Sequence, residues 1–297
     1  MLIDLPVNIQ RTEGEFNYPR ESLFGGNRLS PRTDLSMAGK AADLLAGAER
    51  PVILAGGGVL ASGASAHLLS FAEKRGIPVA NTLMGKSAFP DNHPLSLGMA
   101  GMHGTPWANL ALTEADVIFA LGTRFSDRTT GKLDSFAKGA ALIHGDIDEA
   151  EIDKIVPSRV SLLGDAKAIL EALEAKTPPA CRGSWAEKIS GWKETYPISD
   201  PEDREFVPSA ILERVKGSSG ENWPAVADVG QNQMWTALFY KTSRPGAFLT
   251  SGGLGTMGYA LPAAMGASLA GGKTPAVCFA GDGGFLMNCQ ELETCAR

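Results

Sequence analysis

Pro51-Val52-Ile53-Leu54-Ala55-Gly56-Gly57-Gly58-Val59-Leu60-Ala61 is a short apolar run that breaks into three glycines and then resumes with helical spacing. Five consecutive apolar residues are too few for a core helix and suit a strand buried on both faces, and the glycines permit a tight turn into the next element. The same alternation repeats outward from this stretch. Spacing predicts helices over 35–47, with Asp34 as N-cap, and over 61–75 and 166–176. Strands are predicted at 51–55, 77–81, 115–121, 141–146 and 161–163. Strands separated by helices imply an α/β fold, a Rossmann-like parallel sheet covered on both faces.

A polar stretch at 13–35 reads as a linker, and a second at 177–205, rich in proline and charge, reads as another, with Trp185 and Trp192 spaced along one side of a helix. The alternation then resumes, with helices over 208–215, 233–240 and 258–269 and strands at 225–229, around Phe248, and at 276–280. This is the opening of a second α/β domain whose remaining strands lie outside the sequence. Residues 2–6 read as a buried strand's end, and helical spacing over 286–297 stops without a glycine cap, so both ends are expected to be interrupted.

Composition bounds the function. The chain has 297 residues, about two domains at roughly 150 each. Twenty-seven basic against 33 acidic residues give a net charge of −6, which argues against a nucleic-acid surface or attraction to anionic lipid. No apolar run approaches the ~20 residues that span a bilayer, so no membrane partner is expected. Cys181, Cys278, Cys289 and Cys295 form no disulfide frame and fit a reducing, cytoplasmic setting.

Several loops could carry chemistry. Gly56, Gly58 and Ala61 satisfy a G-x-G-x-x-A dinucleotide pattern, but the next strand ends Asn81-Thr82 with no acid for an NAD ribose, and close strand-to-helix packing explains the glycines equally. Gly122-Thr123-Arg124-Phe125-Ser126-Asp127-Arg128 follows a strand; its arginines suit a phosphate or carboxylate, or the loop is simply ion-paired through Asp127. Acids in His144-Gly145-Asp146-Ile147-Asp148 could accept from sugar hydroxyls or cap the following helix. Gly101-Met102-His103-Gly104 decides little alone, and His67 and His93 carry no pattern. The most specific stretch is Gly281-Asp282-Gly283-Gly284 after the strand at 276–280, where glycine amides can approach an anion and Asp282 offers a hard oxygen to Mg²⁺. Two further glycine loops, 230–235 and 251–258, follow strands and can converge on the same edge.

Together these segments resemble the thiamine-diphosphate enzymes, specifically the acetolactate synthase (acetohydroxyacid synthase) catalytic-subunit family. The resemblance runs over essentially the whole chain. It implies that residues 1–12 end a pyrimidine-binding domain, 36–176 form a central FAD-binding domain, and 206–297 form the first part of a diphosphate-binding domain. By resemblance Asp282 holds Mg²⁺, the amides of Gly281, Gly283 and Gly284 meet the diphosphate with Gln231 and Asn232, and many relatives carry His where Asn232 stands. Gly255, beside Gly252 and Gly253, would offer its carbonyl to the aminopyrimidine, and Met257 would hold the cofactor's bend with Met287 nearby. FAD, not needed for net redox chemistry, would contact Gly56, Gly57, Gly58, Thr82, Leu83, Met84, Gly101, Met102, His103, Gly122, Thr123, Arg124, Arg128, Asp146, Ile147, Asp165, Ala166, Gln233 and Met234. Ser126 stands where the family commonly has an acid.

The resemblance further implies decarboxylation of pyruvate and transfer of its two-carbon unit to pyruvate or 2-oxobutanoate in branched-chain amino-acid biosynthesis, with Arg128 taking the second keto acid's carboxylate. The family's ylid-forming glutamate comes from the N-terminal domain of a partner subunit, and only 15 residues follow Asp282, too few for the second half of the metal motif. An internal piece, inactive alone, is therefore expected. Expected partners are small 2-keto acids, a second copy or a tetramer, and a regulatory small subunit. Alternatives are glyoxylate carboligase, which shares FAD, a flavin- or nucleotide-binding module without catalysis, and a purely structural α/β pair.

Overall fold

The computed structural model describes residues 6–15, 17, 32–198 and 207–297. Residues near the start form one exposed helical turn, α1 (Val7–Gln10). The strand end expected at 2–6, apart from Pro6, and most of the 13–35 linker lie outside the described residues.

From residue 32 onward the predicted alternation is present: α2 (Ala38–Gly47), β1 (Pro51–Ala55), α3 (Gly57–Ala61), α4 (Ser65–Arg75), β2 (Val79–Asn81), β3 (Ser96–Met99), α5 (Pro106–Glu114), β4 (Val117–Leu121), α6 (Asp127–Thr130), β5 (Ala141–Asp146), β6 (Val160–Leu163) and α7 (Ala166–Glu174). Six parallel strands lie in the order β3-β2-β1-β4-β5-β6. Side chains alternate between the faces. Ile53, Ala55, Phe119 and Ile143 pack beneath α2, α4 and α7, and Val52, Leu54, Ile118 and Leu142 pack beneath α5 and the next helix. Asp34 does not cap α2. Its backbone is taken by a bridge to Leu163, and the helix begins at Ala38. Gly63, at φ +64°, interrupts the expected 61–75 helix.

Part of the expected second linker belongs to the fold. Helix α8 (Gly183–Thr195) inserts Trp185 and Ile189 into the second face of the sheet. Trp185 Nε1 donates to the Pro51 carbonyl at 3.2 Å, and its ring meets Trp192 edge-on at 5.6 Å. Arg182 ties the segment down by donating to the Leu45 and Ala48 carbonyls at the end of α2, and to the Arg75 carbonyl.

The second sheet follows: α9 (Pro208–Ser218), β7 (Ala225–Ala227), α10 (Gln231–Phe239), β8 (Phe248–Thr250), α11 (Ala260–Ala270), β9 (Val277–Phe279), α12 (Asp282–Met287) and α13 (Glu291–Ala296). Its three parallel strands run β8-β7-β9. Asp91 links the two halves: its Oδ2 accepts from the Thr242 amide (2.7 Å) and hydroxyl (2.9 Å) while forming a buried ion pair with Lys86 Nζ at 2.7 Å. Among the described residues no helix is long and apolar enough to cross a membrane, and all four cysteines are free.

If α8 is part of the core, Trp185→Ala costs about 3–5 kcal/mol of unfolding free energy by denaturant titration, the range for a buried tryptophan. In a mere linker the change would stay within about 0.5 kcal/mol.

Candidate functional site: two glycine-lined switch points

From β1 the chain steps outward through β2 and β3, then returns to the other side of β1 at β4. Where strand order reverses in a parallel sheet, the loops after the two strands part and leave a crevice at their carboxyl ends. Here those loops are 56–58 and 122–124. Gly58 N donates to the Gly122 carbonyl at 3.0 Å, and Gly56 N to that of Leu121 at 2.9 Å. A Cβ on Gly56 would sit 2.0 Å from the Gly122 oxygen, and one on Gly58 2.7 Å from the Gly122 Cα. Loop-to-loop packing therefore demands both glycines, as the packing account of the sequence pattern anticipates.

A cleft of about 1120 Å³ opens over this crevice. Its wall includes Gly57, Gly58, Thr82, Leu83, Met84, His103, Gly122, Thr123, Arg124, Arg128, Asp146, Ile147, Asp165, Ala166, Gln233 and Met234, so most positions expected to contact FAD share one surface. Gly56, Gly101 and Met102 are not on it. Gly56 is taken up by Gly122; Gly101, at φ +101°, lies under Arg128, whose carbonyl accepts from Met102 N at 2.8 Å, and the Met102 side chain faces solvent.

The cleft is electrically two-ended. Arg124 is exposed and pairs with no acid among the described residues, while Arg128 is held by its neighbour Asp127 at 2.6 Å. Toward β5 and β6 lie Asp146, Asp148, Glu151 and Asp165. No helix follows β5 for the acids of 144–148 to cap: Asp146 Oδ1 accepts from Asp148 N and Asp148 Oδ1 from Ala150 N within the loop, while Asp165, after β6, caps α7 by accepting from Lys167 N.

His144, fully buried in β5, holds the arginine loop from below. Its Nε2 is 3.0 Å from the Thr123 carbonyl; the carbonyl can only accept, so Nε2 carries the hydrogen and Nδ1 is left buried without a partner. Phe125 has φ +54°, a strained value for an aromatic residue, and its ring is clamped edge-on by His144 (4.9 Å) and Phe136 (6.0 Å). Burial holds the His144 pKa below the ordinary 6.5, against the smaller opposing effect of the Thr123 bond. The unfolded chain thus takes up a proton below pH ~6.5 that the folded chain resists, and stability falls as pH drops through that range. His144→Phe is expected to remove this component from the pH dependence of the unfolding free energy. At neutral pH it costs about 1–3 kcal/mol, because the Thr123 carbonyl loses its donor.

The second sheet has its own switch point, between β7 and β9. Loops 228–232 and 280–284 meet there. Asn232 Nδ2 donates to the Val229 carbonyl at 3.3 Å, leaving Oδ1 buried without a partner; a Cβ on Gly281 would lie 3.4 Å from that Nδ2. Asp282 is exposed as the first residue of α12. Met257 Cε would be 3.3 Å from a Cβ on Gly283, and Met287 Cβ 3.0 Å from one on Gly258, so both methionines share this corner. Gln231, Gly252, Gly253 and Gly255 line the large cleft, whereas Asn232, Met257, Gly281, Asp282, Gly283, Gly284 and Met287 stand off its wall.

Among the described residues no three His, Cys, Asp or Glu groups converge to hold a metal. Cys278 is no nucleophile: burial, reinforced by Asp228, pushes its thiol up to about 11. Two residues outside the sequence-derived site stand beneath its loops: His144 under the arginine loop, and Asp228, whose buried carboxylate accepts from Gly258 N and Ala260 N. The available signal was an acid directly after an apolar strand and ahead of a glycine, at Asp228-Val229-Gly230.

Comparison with known proteins follows this division. The thiamine pyrophosphate enzyme central domain matches residues 38–173, and the C-terminal TPP-binding domain of the same enzymes matches 228–297. A probable acetolactate synthase large subunit of Methanocaldococcus jannaschii is 47% identical over 98% of this chain and 52% of its own length. One from Methanococcus aeolicus is 44% identical over 99% of this chain and 53% of its own. An acetolactate synthase of Mycobacterium bovis is 42% identical over 100% of this chain and 49% of its own. The chain spans about half the length of the curated relatives it matches. With both family domains in order, one on each switch point, the chain belongs to the thiamine pyrophosphate enzyme family.

Proposed function

We propose that this chain supplies the flavin cleft and the diphosphate corner of an acetolactate synthase catalytic subunit. One observation carries the proposal: two glycine-lined switch points, each on a matched family domain, with the wall of one cleft running from the first to the 251–255 loop of the second. A dinucleotide suits that cleft, since cations sit at the switch point and acids lie toward β5 and β6. FAD is the dinucleotide proposed, because the acid that would hold an NAD ribose is absent at Asn81-Thr82.

At the second corner the residues fit a metal-bound diphosphate. Asn232 Nδ2 stands beside the Gly281 turn, 3.4 Å from where a Cβ on Gly281 would lie, and its second hydrogen, not used by the Val229 carbonyl, is a donor for an anion there. Asp282 offers one hard oxygen for Mg²⁺, and Gly281 and Gly283 put no side chain of their own in the way of a ligand approaching the turn. Thiamine diphosphate, when bound, supplies the carbon nucleophile and electron sink for decarboxylating a 2-keto acid. The chain's own part is to bind and orient. Met257 provides an apolar shelf, the Gly255 carbonyl an acceptor, and Arg128 a guanidinium for a second keto acid once it leaves Asp127. The proposal extends to pyruvate and 2-oxobutanoate as substrates, assembly as at least a dimer, a regulatory small subunit and a reducing, cytoplasmic setting, the last supported by four unpaired thiols.

The test is a chimera in which this chain replaces the matching stretch of the Methanocaldococcus jannaschii relative. It should form acetolactate from pyruvate, and Asp282→Asn should lower kcat/KM at least about a hundredfold, roughly 2.7 kcal/mol. Carboligation of glyoxylate in preference to pyruvate would reject the assignment.

A further inference from the structure

Asp228 follows β7 directly and is only 1% exposed, yet no cation pairs with it among the described residues. Its carboxylate is satisfied by amides alone. Oδ1 accepts from Val229 N at 2.8 Å and Gly258 N at 3.1 Å, and Oδ2 from Ala260 N at 2.9 Å. Gly258 is gripped from its other side as well, because Asn288 Nδ2 donates to its carbonyl at 2.7 Å. Gly258 has φ +81°, and a Cβ there would lie 2.8 Å from Asn288 Nδ2. Gly284 completes the enclosure, since a Cβ on it would come within 2.6 Å of Asp228 Oδ1.

One buried carboxylate therefore joins the end of β7, the start of α11 and the first turn of α12. Buried polar groups are costly unless hydrogen-bonded, and three converging amides call for a side chain that can accept on both of its terminal atoms, which a carboxyl group supplies. An asparagine would turn an NH₂ group toward at least one of them. The same carboxylate caps α11, an eleven-residue helix whose first amide it accepts.

We propose that Asp228, acting through Gly258 and Asn288, is a positioning residue that holds Met257 in register with the Gly281–Gly284 turn, so that cofactor shelf and diphosphate loop form one rigid unit. The proposal rests on the thiamine-diphosphate reading for its consequence, but its structural core does not depend on that reading. Asp228 is not itself on the cleft wall, although Val229, whose amide it accepts, is; its effect passes through the backbone it fixes.

The experiment compares the wild-type chain with Asp228→Asn and with Asn288→Asp, the latter turning a carboxylate toward the Gly258 carbonyl at a half-buried position that spares the core. Hydrogen exchange is followed by segment in the chain, and Mg²⁺-dependent thiamine diphosphate binding is titrated calorimetrically in the chimera with the Methanocaldococcus jannaschii relative carrying the same substitutions. Both variants should exchange about tenfold faster or more at 257–260 and 282–288 while β1, β4 and β5 keep wild-type protection, and both should bind thiamine diphosphate about tenfold more weakly or worse, the scale of one lost hydrogen bond. Wild-type exchange at 257–260 in both variants, or wild-type affinity despite faster exchange, overturns the proposal. Failure of the unsubstituted chimera to bind thiamine diphosphate removes the cofactor reading and the proposal's consequence with it, while the exchange result separately confirms or refutes the coupling.

Discussion

Everything at the first site depends on backbone meeting backbone between the Gly56–Gly58 turn and Gly122. Two strand-ending loops can come this close only where neither carries a side chain, and the 3.0 Å bond from Gly58 N to the Gly122 carbonyl records how close they are. Their approach brings the Thr123–Arg128 loop over the carboxyl edge, where Arg124 and Arg128 can reach a ligand. A methyl group on either glycine would force the two crossovers apart and blunt the crevice that the strand order creates.

Supports beneath each loop share a chemical style. His144 under the arginine loop and Asp228 under the diphosphate corner are both buried ionisable groups answered by backbone rather than by an opposite charge. Backbone partners fix geometry without adding a mobile side chain, which suits sites that must present several groups at once. The strained φ of Phe125, held between His144 and Phe136, is a local cost of that same arrangement.

Much of this was legible in the residues. The apolar run 51–55 and the strand at 141–146 have the bounds their patterns predict, because buried parallel strands are continuous apolar runs ended by glycine or acid. Less legible are β3, a four-residue Ser-Leu-Gly-Met strand with too few apolar positions to show a period, and α5, whose Thr105 cap and Pro106 start adjoin the Gly101–Gly104 loop and open a helix with a weak apolar stripe. Composition at 177–205 suggested a linker, but the two tryptophans carried the truer signal, since burying Trp185 outweighs the polarity around it. Asp228 escaped because a single acid after a strand resembles any turn. Only the three amides that converge on it in space distinguish it.

The central claim, that two switch points form two adjacent cofactor sites, is tested most directly by a crystal structure of the chain grown with FAD, Mg²⁺ and thiamine diphosphate. The account predicts flavin density along the wall from Gly57 to Asp165 and diphosphate density against Gly281 and Asp282, with the two separated by the 251–255 loop. Both cofactors in one cleft, or either one away from these strand ends, would contradict it.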